Sequence, residues 1–270
     1  MSVAAATRYR LDDLRRLAAS TLGALAVSPP RASAMASHLL WFDAAGAPSH
    51  GIASLPTWLD RLDRKEVDPV AEGRTLLEHS GTAVFDARNG LAPLILTRAG
   101  GIAAEKARDV GVGIVRVVNL GPAGPPAPVA ADLAVGPFVA TIVGPGGSFA
   151  AAVPMPEGLP AVYDPALGSA EPPGWLAVLS PWSAAMAGAD GWAIIALAVA
   201  AMDPLTTFHE RAATSFAGAV EGEGRLLPSP WEGRRRQARE RGVALDETAS
   251  AGLRNWSDRL GVPWPPPVGG

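Results

Sequence analysis

The sequence predicts an α/β fold: a layered sheet domain accompanied by helical segments from both ends of the chain. Three observations carry this. Residues 11–65 place apolar side chains at helical spacing with cap and stop signals between them. Residues 75–143 alternate short β-type runs with helical runs, in the order strand, helix, strand, helix, strand. Residues 232–260 return to helix. The helical part is accordingly drawn as 1–72 with 228–270, and the α/β part as 73–227.

In chain order, Leu11, Leu14, Leu17, Leu22 and Leu25 form the stripe of a first helix that stops at Ser28-Pro29-Pro30. Ser28 and Pro29 cap and start a second helix, with Met35, Leu39 and Phe42 on one face and an end near Gly46 and Pro48. Ser49 reads as the cap of a third helix over residues 52–65, with Pro56 inside its first turns. The first 65 residues are therefore expected to be all-helical. After Pro69 come strands at residues 75–78 and 83–86, the turn Arg88-Asn89-Gly90, and a long helix ending before Gly111. A β-branched strand follows at 112–118, then a turn over 121–128, a short Ala-rich helix and a buried strand at 138–143. Residues 144–173 are rich in Gly and Pro with little periodicity. Residues 175–179 read as one more strand, and the nearly all-apolar run 184–202 as a helix buried on most sides. Residues 232–241 form a charged helix. Asp246 caps a last helix that carries Leu253, Trp256 and Leu260 on one face and ends before Gly261 and Pro263, ahead of a polyproline-like tail over 263–267.

Composition removes several function classes. Of 270 residues, 48% are hydrophobic and 18% charged, enough apolar surface to argue against disorder. The absence of cysteine excludes disulfides, thiolate metal sites and a Cys nucleophile. A net charge of -3 gives no electrostatic reason to expect nucleic acid as a partner. The longest apolar stretch, 192–202, falls short of the roughly 20 residues a bilayer crossing needs. Arg8, Arg10 and acidic residues interrupt the start before any leader-like run. The expectation is a soluble, cytoplasmic protein without a membrane segment.

Candidate chemistry narrows to one turn. His38 and His79 read as structural or surface residues, and His209-Glu210 opens a zinc-protease-like pattern whose fifth position is Ala213, so no metal is expected. Gly146-Gly147-Ser148-Phe149-Ala150 misses the nucleophile elbow, and Gly144-Pro145-Gly146 misses the dinucleotide fingerprint because Phe149 takes the third glycine position. Arg234-Arg235-Arg236 with Arg239 and Arg241, interleaved with Glu232 and Glu240, reads as a solvated helix face. There remains Asp43-Ala44-Ala45-Gly46-Ala47-Pro48-Ser49-His50-Gly51. A helix ends here, and His50 is expected in the first turn of the next, where the dipole favours a neutral imidazole. Such a histidine could exchange a proton with a substrate oxygen or nitrogen, or serve only as a hydrogen-bonded turn residue.

The run Phe42-Asp43, Gly46, Ser49-His50-Gly51 and Leu55-Pro56 resembles the Ala-Asp-Leu-Arg-Gly-x-x-Ser-His-Gly-x-x-Arg-Leu-Pro signature of the malate/L-lactate dehydrogenase type 2 family. Val67-Asp68-Pro69, Ala83-Val84-Phe85-Asp86, Asn89-Gly90-Leu91 and Asn119-Leu120-Gly121-Pro122-Ala123-Gly124 extend the resemblance. It implies a non-Rossmann, sulfolactate dehydrogenase-like sheet domain that holds NAD or NADP, a helical domain for substrate and dimerisation, and a homodimer acting on a small molecule. It further implies that His50 is the acid in reduction of a ketone or imine, with Ser49 beside it, Ser54 and Asn119 toward substrate, and Asn119, Gly121, Gly124 and Gly144 toward cofactor.

The sequence departs from the family pattern where Ser54 stands for the arginine expected to hold a substrate carboxylate, Asn119 for a loop histidine and Pro48 for an aspartate. Asp190-Gly191-Trp192 stands for Lys-Gly-Tyr, and the resemblance is shortened between Pro154 and Trp175. These changes define a second expectation: a redox-inactive relative that uses the same residues for acid/base chemistry or serves a structural role.

Overall fold

The computed structural model, which describes residues 6–156, 158–168 and 191–268, divides into two units, each with its own internal contacts. One unit comprises Met1–Val70 with Trp231–Gly270, the other Ala71–Pro230.

The first unit opens with a short strand, β1 (Thr7–Tyr9), which the helical expectation for this region did not contain. Helix α1 (Leu11–Ala24) follows, with Asp12 and Asp13 in its first turn, where carboxylates complement the helix dipole, and Leu14, Leu17 and Leu22 buried. Helix α2 (Pro29–Ala45) begins on its proline and ends at Gly46, whose left-handed backbone (φ 88°) lets Ala47 N–H reach back to the Phe42 carbonyl at 2.9 Å. The next helix starts later than its sequence suggests. Two 3-10 turns, Pro48–His50 and Ile52–Ser54, precede α3 (Leu55–Asp63). Ser49 is an exposed member of the first turn and caps no helix. His50 therefore closes a three-residue turn, and the dipole argument for a helix N-terminus lapses there.

Among the described residues the second unit is an eight-stranded sheet with helices. Its elements are β2 (Arg74–Glu78), β3 (Thr82–Asp86), α4 (Ala92–Val110), β4 (Val112–Val118), α5 (Ala127–Val135), β5 (Phe138–Val143), β6 (Phe149–Val153), β7 (Ala161–Tyr163), β8 (Trp192–Ala198), α6 (Leu205–Ser215) and β9 (Arg225–Leu226). The strand order is β2-β3-β4-β8-β5-β6-β7-β9, with β3 and β4 parallel across α4 and every other pairing antiparallel.

Strand β8 corrects the helix expected over 184–202. It lies in the middle of the sheet between β4 and β5, paired along both edges, and its side chains are buried except for the half-buried Ile195 and Leu197, so its sequence is apolar throughout. A short apolar run of this kind fits a two-sided strand and a buried helix equally well by periodicity. Residues 184–190 of that expectation, and the strand expected at 175–179, lie outside the described residues. Strands β6 and β7 occupy the stretch read as aperiodic. Phe149-Ala150-Ala151-Ala152-Val153 has weak intrinsic strand character and becomes a strand through pairing with β5, Ala140 facing Ala152.

Chain order then returns to the first unit through α7 (Pro228–Arg241), β10 (Val243–Leu245) and α8 (Glu247–Leu260). Strand β10 is the antiparallel partner of β1, Arg8 facing Ala244, and Trp264 of the proline-rich tail meets the Tyr9 ring edge-on at 5.4 Å. Asp246 caps α8 as its sequence predicts, accepting the Ala249 amide at 2.8 Å, and Leu253 and Trp256 are buried.

Candidate functional site

In the first unit the end of α2 and the two 3-10 turns build a tight corner around His50. Asp43 accepts the Ile52 amide on Oδ2 at 2.8 Å, and Gly51 passes directly over the carboxyl. A β-carbon at residue 51 would lie 2.4 Å from both Asp43 oxygens, so only glycine fits this crossing. Asp43 Oδ1 is enclosed without a hydrogen-bond partner. Burial pushes this carboxyl up to about 7, against the downward pull of the Ile52 amide. Ser54 pins the same corner from the other side, its hydroxyl donating to the carbonyls of Gly51 at 2.7 Å and His50 at 3.2 Å. The His50 ring packs against Phe42, centroids 5.8 Å apart, and the His38 ring meets the same Phe42 ring at 5.5 Å. Desolvation pushes His38 down to about 4, which leaves it neutral and suited to a packing role. His50 itself is half-buried.

In the second unit the parallel strands β3 and β4 end side by side, at Asp86 and Val118, and the loops that leave them are stitched together. Ala87 N–H donates to the Val118 carbonyl at 2.9 Å and Asn89 N–H to the Asn119 carbonyl at 3.0 Å. Asn119 takes the left-handed conformation (φ 55°), which asparagine tolerates better than most residues, and donates from Nδ2 to Asp86 Oδ1 at 2.9 Å. Asp86 also accepts the Arg88 amide at 3.0 Å and lies 3.5 Å from the Arg74 guanidinium. The Asn119 hydrogen bond first, with these further donors, holds its carboxyl below the usual range against the upward push of burial. Gly121 lies beside the Asn89 side chain, and Gly124 (φ 74°) has open space over its Cα. Gly144 follows β5 and makes room for the Trp192 indole, which a β-carbon would approach to 2.5 Å. The N-terminus of α5 is closed from within: Asp164 accepts the Ala127 amide at 3.1 Å, and burial pushes this carboxyl up to about 7.

The residues singled out from sequence thus fall into two groups. Ser49, His50 and Ser54 share the corner in the first unit; Asn119, Gly121 and Gly124 share one loop in the second, with Gly144 at the end of β5. Asp43 and Asp86 organise the two groups, and neither was singled out as a site residue. The available signal for Asp43 was its place near the C-terminus of a helix, where the dipole disfavours a carboxylate. Asp190 lies outside the described residues. Among the described residues no cluster of three or more His, Asp or Glu could hold a metal ion, and no helix is long and apolar enough to cross a membrane.

A model of the malate/L-lactate dehydrogenase family matches residues 9–163. The L-sulfolactate dehydrogenase of Methanocaldococcus jannaschii is 34% identical over 77 residues, 28% of this chain, a stretch that spans only 22% of that relative. Among solved structures, malate dehydrogenase from Entamoeba histolytica superposes with a TM-score of 0.82 at 17% identity, over 96% of this chain and 99% of that one. The delta1-piperideine-2-carboxylate reductase from Pseudomonas syringae pvar. tomato superposes with a TM-score of 0.76 at 18% identity, over 92% and 99%. At such identities the superpositions show a shared fold.

Proposed function

The chain belongs to the malate/L-lactate dehydrogenase family of oxidoreductases, and from that premise we propose that it is an NAD(P)-dependent reductase of a ketone or imine in a small molecule, with His50 as the acid. The observation that carries this reading is the corner that holds His50. Asp43 grips the backbone just after it, Ser54 grips its carbonyl, and Phe42 packs against its ring. A proton donor needs such fixed placement, because proton transfer requires hydrogen-bond reach to one particular atom.

The nicotinamide, when bound, supplies the hydride. The residues present fit a dinucleotide in kind. Loops at the C-terminal ends of parallel strands are where open α/β sheets bind such ligands, and the unobstructed backbone at Gly124 gives close access. Asn119, Gly121, Gly124 and the backbone of Gly144 are the groups that would hold it. The α5 N-terminus takes no phosphate in this reading, since Asp164 already occupies its amide.

His50 gives its proton to the substrate oxygen or nitrogen as negative charge develops there. Ser49, exposed beside it, serves as a polar positioning group. The Ser54 hydroxyl has its proton committed to backbone carbonyls. That supports a substrate that does not rely on a guanidinium clamp at this position. A homodimer is part of the proposal.

Titration with NADH and NADPH, followed by melting temperature, tests the cofactor. Saturable stabilisation by either is expected, and its absence at millimolar concentration overturns the reading. His50→Ala should retain the cofactor shift and lose about 100-fold or more in turnover of 2-oxo acids or cyclic imines. Ligand binding that depends on His50 but ignores both nicotinamides would establish the redox-inactive alternative. Light scattering at varied protein concentration tests the dimer.

A further inference from the structure

The arginine run at 234–241 is not a uniformly solvated face. Helical spacing puts Arg235 and Arg239 one turn apart, and both line a pocket of about 210 Å³ in the first unit, together with Arg15 from α1 and Trp41 and Ser37 from α2. The remaining wall is apolar apart from Trp231, and no carboxylate lines the pocket. Arg15 is paired through Nη1 with Asp12 at 2.6 Å, and the Arg235 guanidinium stands 5.8 Å from the Trp231 ring centre.

We propose that this pocket binds a small tetrahedral oxyanion, free phosphate or the phosphate of a phosphomonoester. Three guanidinium-bearing residues from two helices, with Ser37, line the pocket, and no acidic residue is among the lining side chains. A planar carboxylate presents its oxygens in one plane, whereas a tetrahedral oxyanion offers acceptors to donors that arrive from separate helices. Liquid water occupies about 30 Å³ per molecule, so the pocket has room for a phosphate with part of its hydration. None of these residues belongs to the His50 corner or the Asn119 loop, so the site is independent of the proposed reductase chemistry.

The test is calorimetric titration of the whole protein with inorganic phosphate, glycerol 3-phosphate, and chloride at matched ionic strength. Saturable binding of phosphate but not chloride is expected. The doubly substituted R235Q/R239Q protein should bind at least tenfold more weakly. Tighter binding of glycerol 3-phosphate than of phosphate would identify a phosphomonoester as the occupant, and the reverse the free ion. Equal responses to phosphate and chloride, or phosphate binding that survives R235Q/R239Q, would overturn the proposal. Because both arginines are partly or fully exposed, that variant should fold, and its melting temperature without phosphate verifies this.

Discussion

Replacing Asp43 with asparagine shows how the corner at His50 is held. The substitution keeps the side-chain shape and an oxygen for the Ile52 amide, 2.8 Å away, and removes only the ability to ionise. Burial places the folded carboxyl at about 7, against an ordinary value of 3.8 that the unfolded chain retains. Between these values the folded state keeps a proton that the unfolded state has released. Wild-type stability therefore falls as pH rises through this window, by about 1.4 kcal/mol per pH unit from this group if enclosure is complete. Above the folded value both states are ionised and the loss stops. Asp43 is half-buried, which reduces the span, so Asp43→Asn should gain roughly 2 kcal/mol on wild type between about pH 5 and pH 7, and no more at higher pH. Urea denaturation of both proteins across this range reads the difference. The contribution of Asp164, also raised by burial, cancels in the comparison. A carboxyl carbon titration by NMR reads the same group directly. A stability difference that stays flat from pH 5 to pH 7 refutes the enclosed carboxyl, and with it the account of how Gly51 and Asp43 fit together.

Three further substitutions probe the remaining contacts. Gly51→Ala puts a β-carbon 2.4 Å from both Asp43 oxygens, so the corner must shift; a loss of about 1–3 kcal/mol in denaturation is expected, with altered His50 ring signals in NMR. Asn119→Ala removes the 2.9 Å hydrogen bond to Asp86 and leaves a β-carbon at a positive φ, for about 1–3 kcal/mol. A carboxyl held low in the folded state stabilises above its unfolded value and loses that contribution as pH falls. The Asn119→Ala variant should accordingly lose less stability than wild type on acidification below about pH 4, and equal losses would show that Asn119 does not hold Asp86 low. Gly144→Ala drives a β-carbon to 2.5 Å from the buried Trp192 indole, for about 1–3 kcal/mol and a changed near-ultraviolet circular dichroism spectrum; an unchanged spectrum and stability would show the two do not pack.

Much of the helical part and the β3-α4-β4 unit was legible from the sequence because their signals are local. Pro29 at a helix start, Gly46 and Gly111 at helix ends and Asp246 as a cap each act within one turn of themselves. The Ser49-His50-Gly51 turn was likewise locatable, as a break between two periodic segments. The geometry behind it was not. Asp43 and Gly51 are eight residues apart, and their crossing depends on where two 3-10 turns redirect the chain.

The sequence by itself determined the α/β order, the helix limits set by caps and left-handed glycines, and the position of the histidine corner, since each depends on neighbours within a few residues. Tertiary structure alone decided that Trp192–Ala198 is the strand joining the two halves of the sheet, that alanine-rich Phe149–Val153 is a strand at all, and that β1 finds β10 across almost the whole chain. It also decided that Asp43 Oδ1 is enclosed and that Arg235 and Arg239 line one pocket with Arg15. Strand pairing, desolvation and the convergence of charges are set by partners distant in sequence, so no local window contains them.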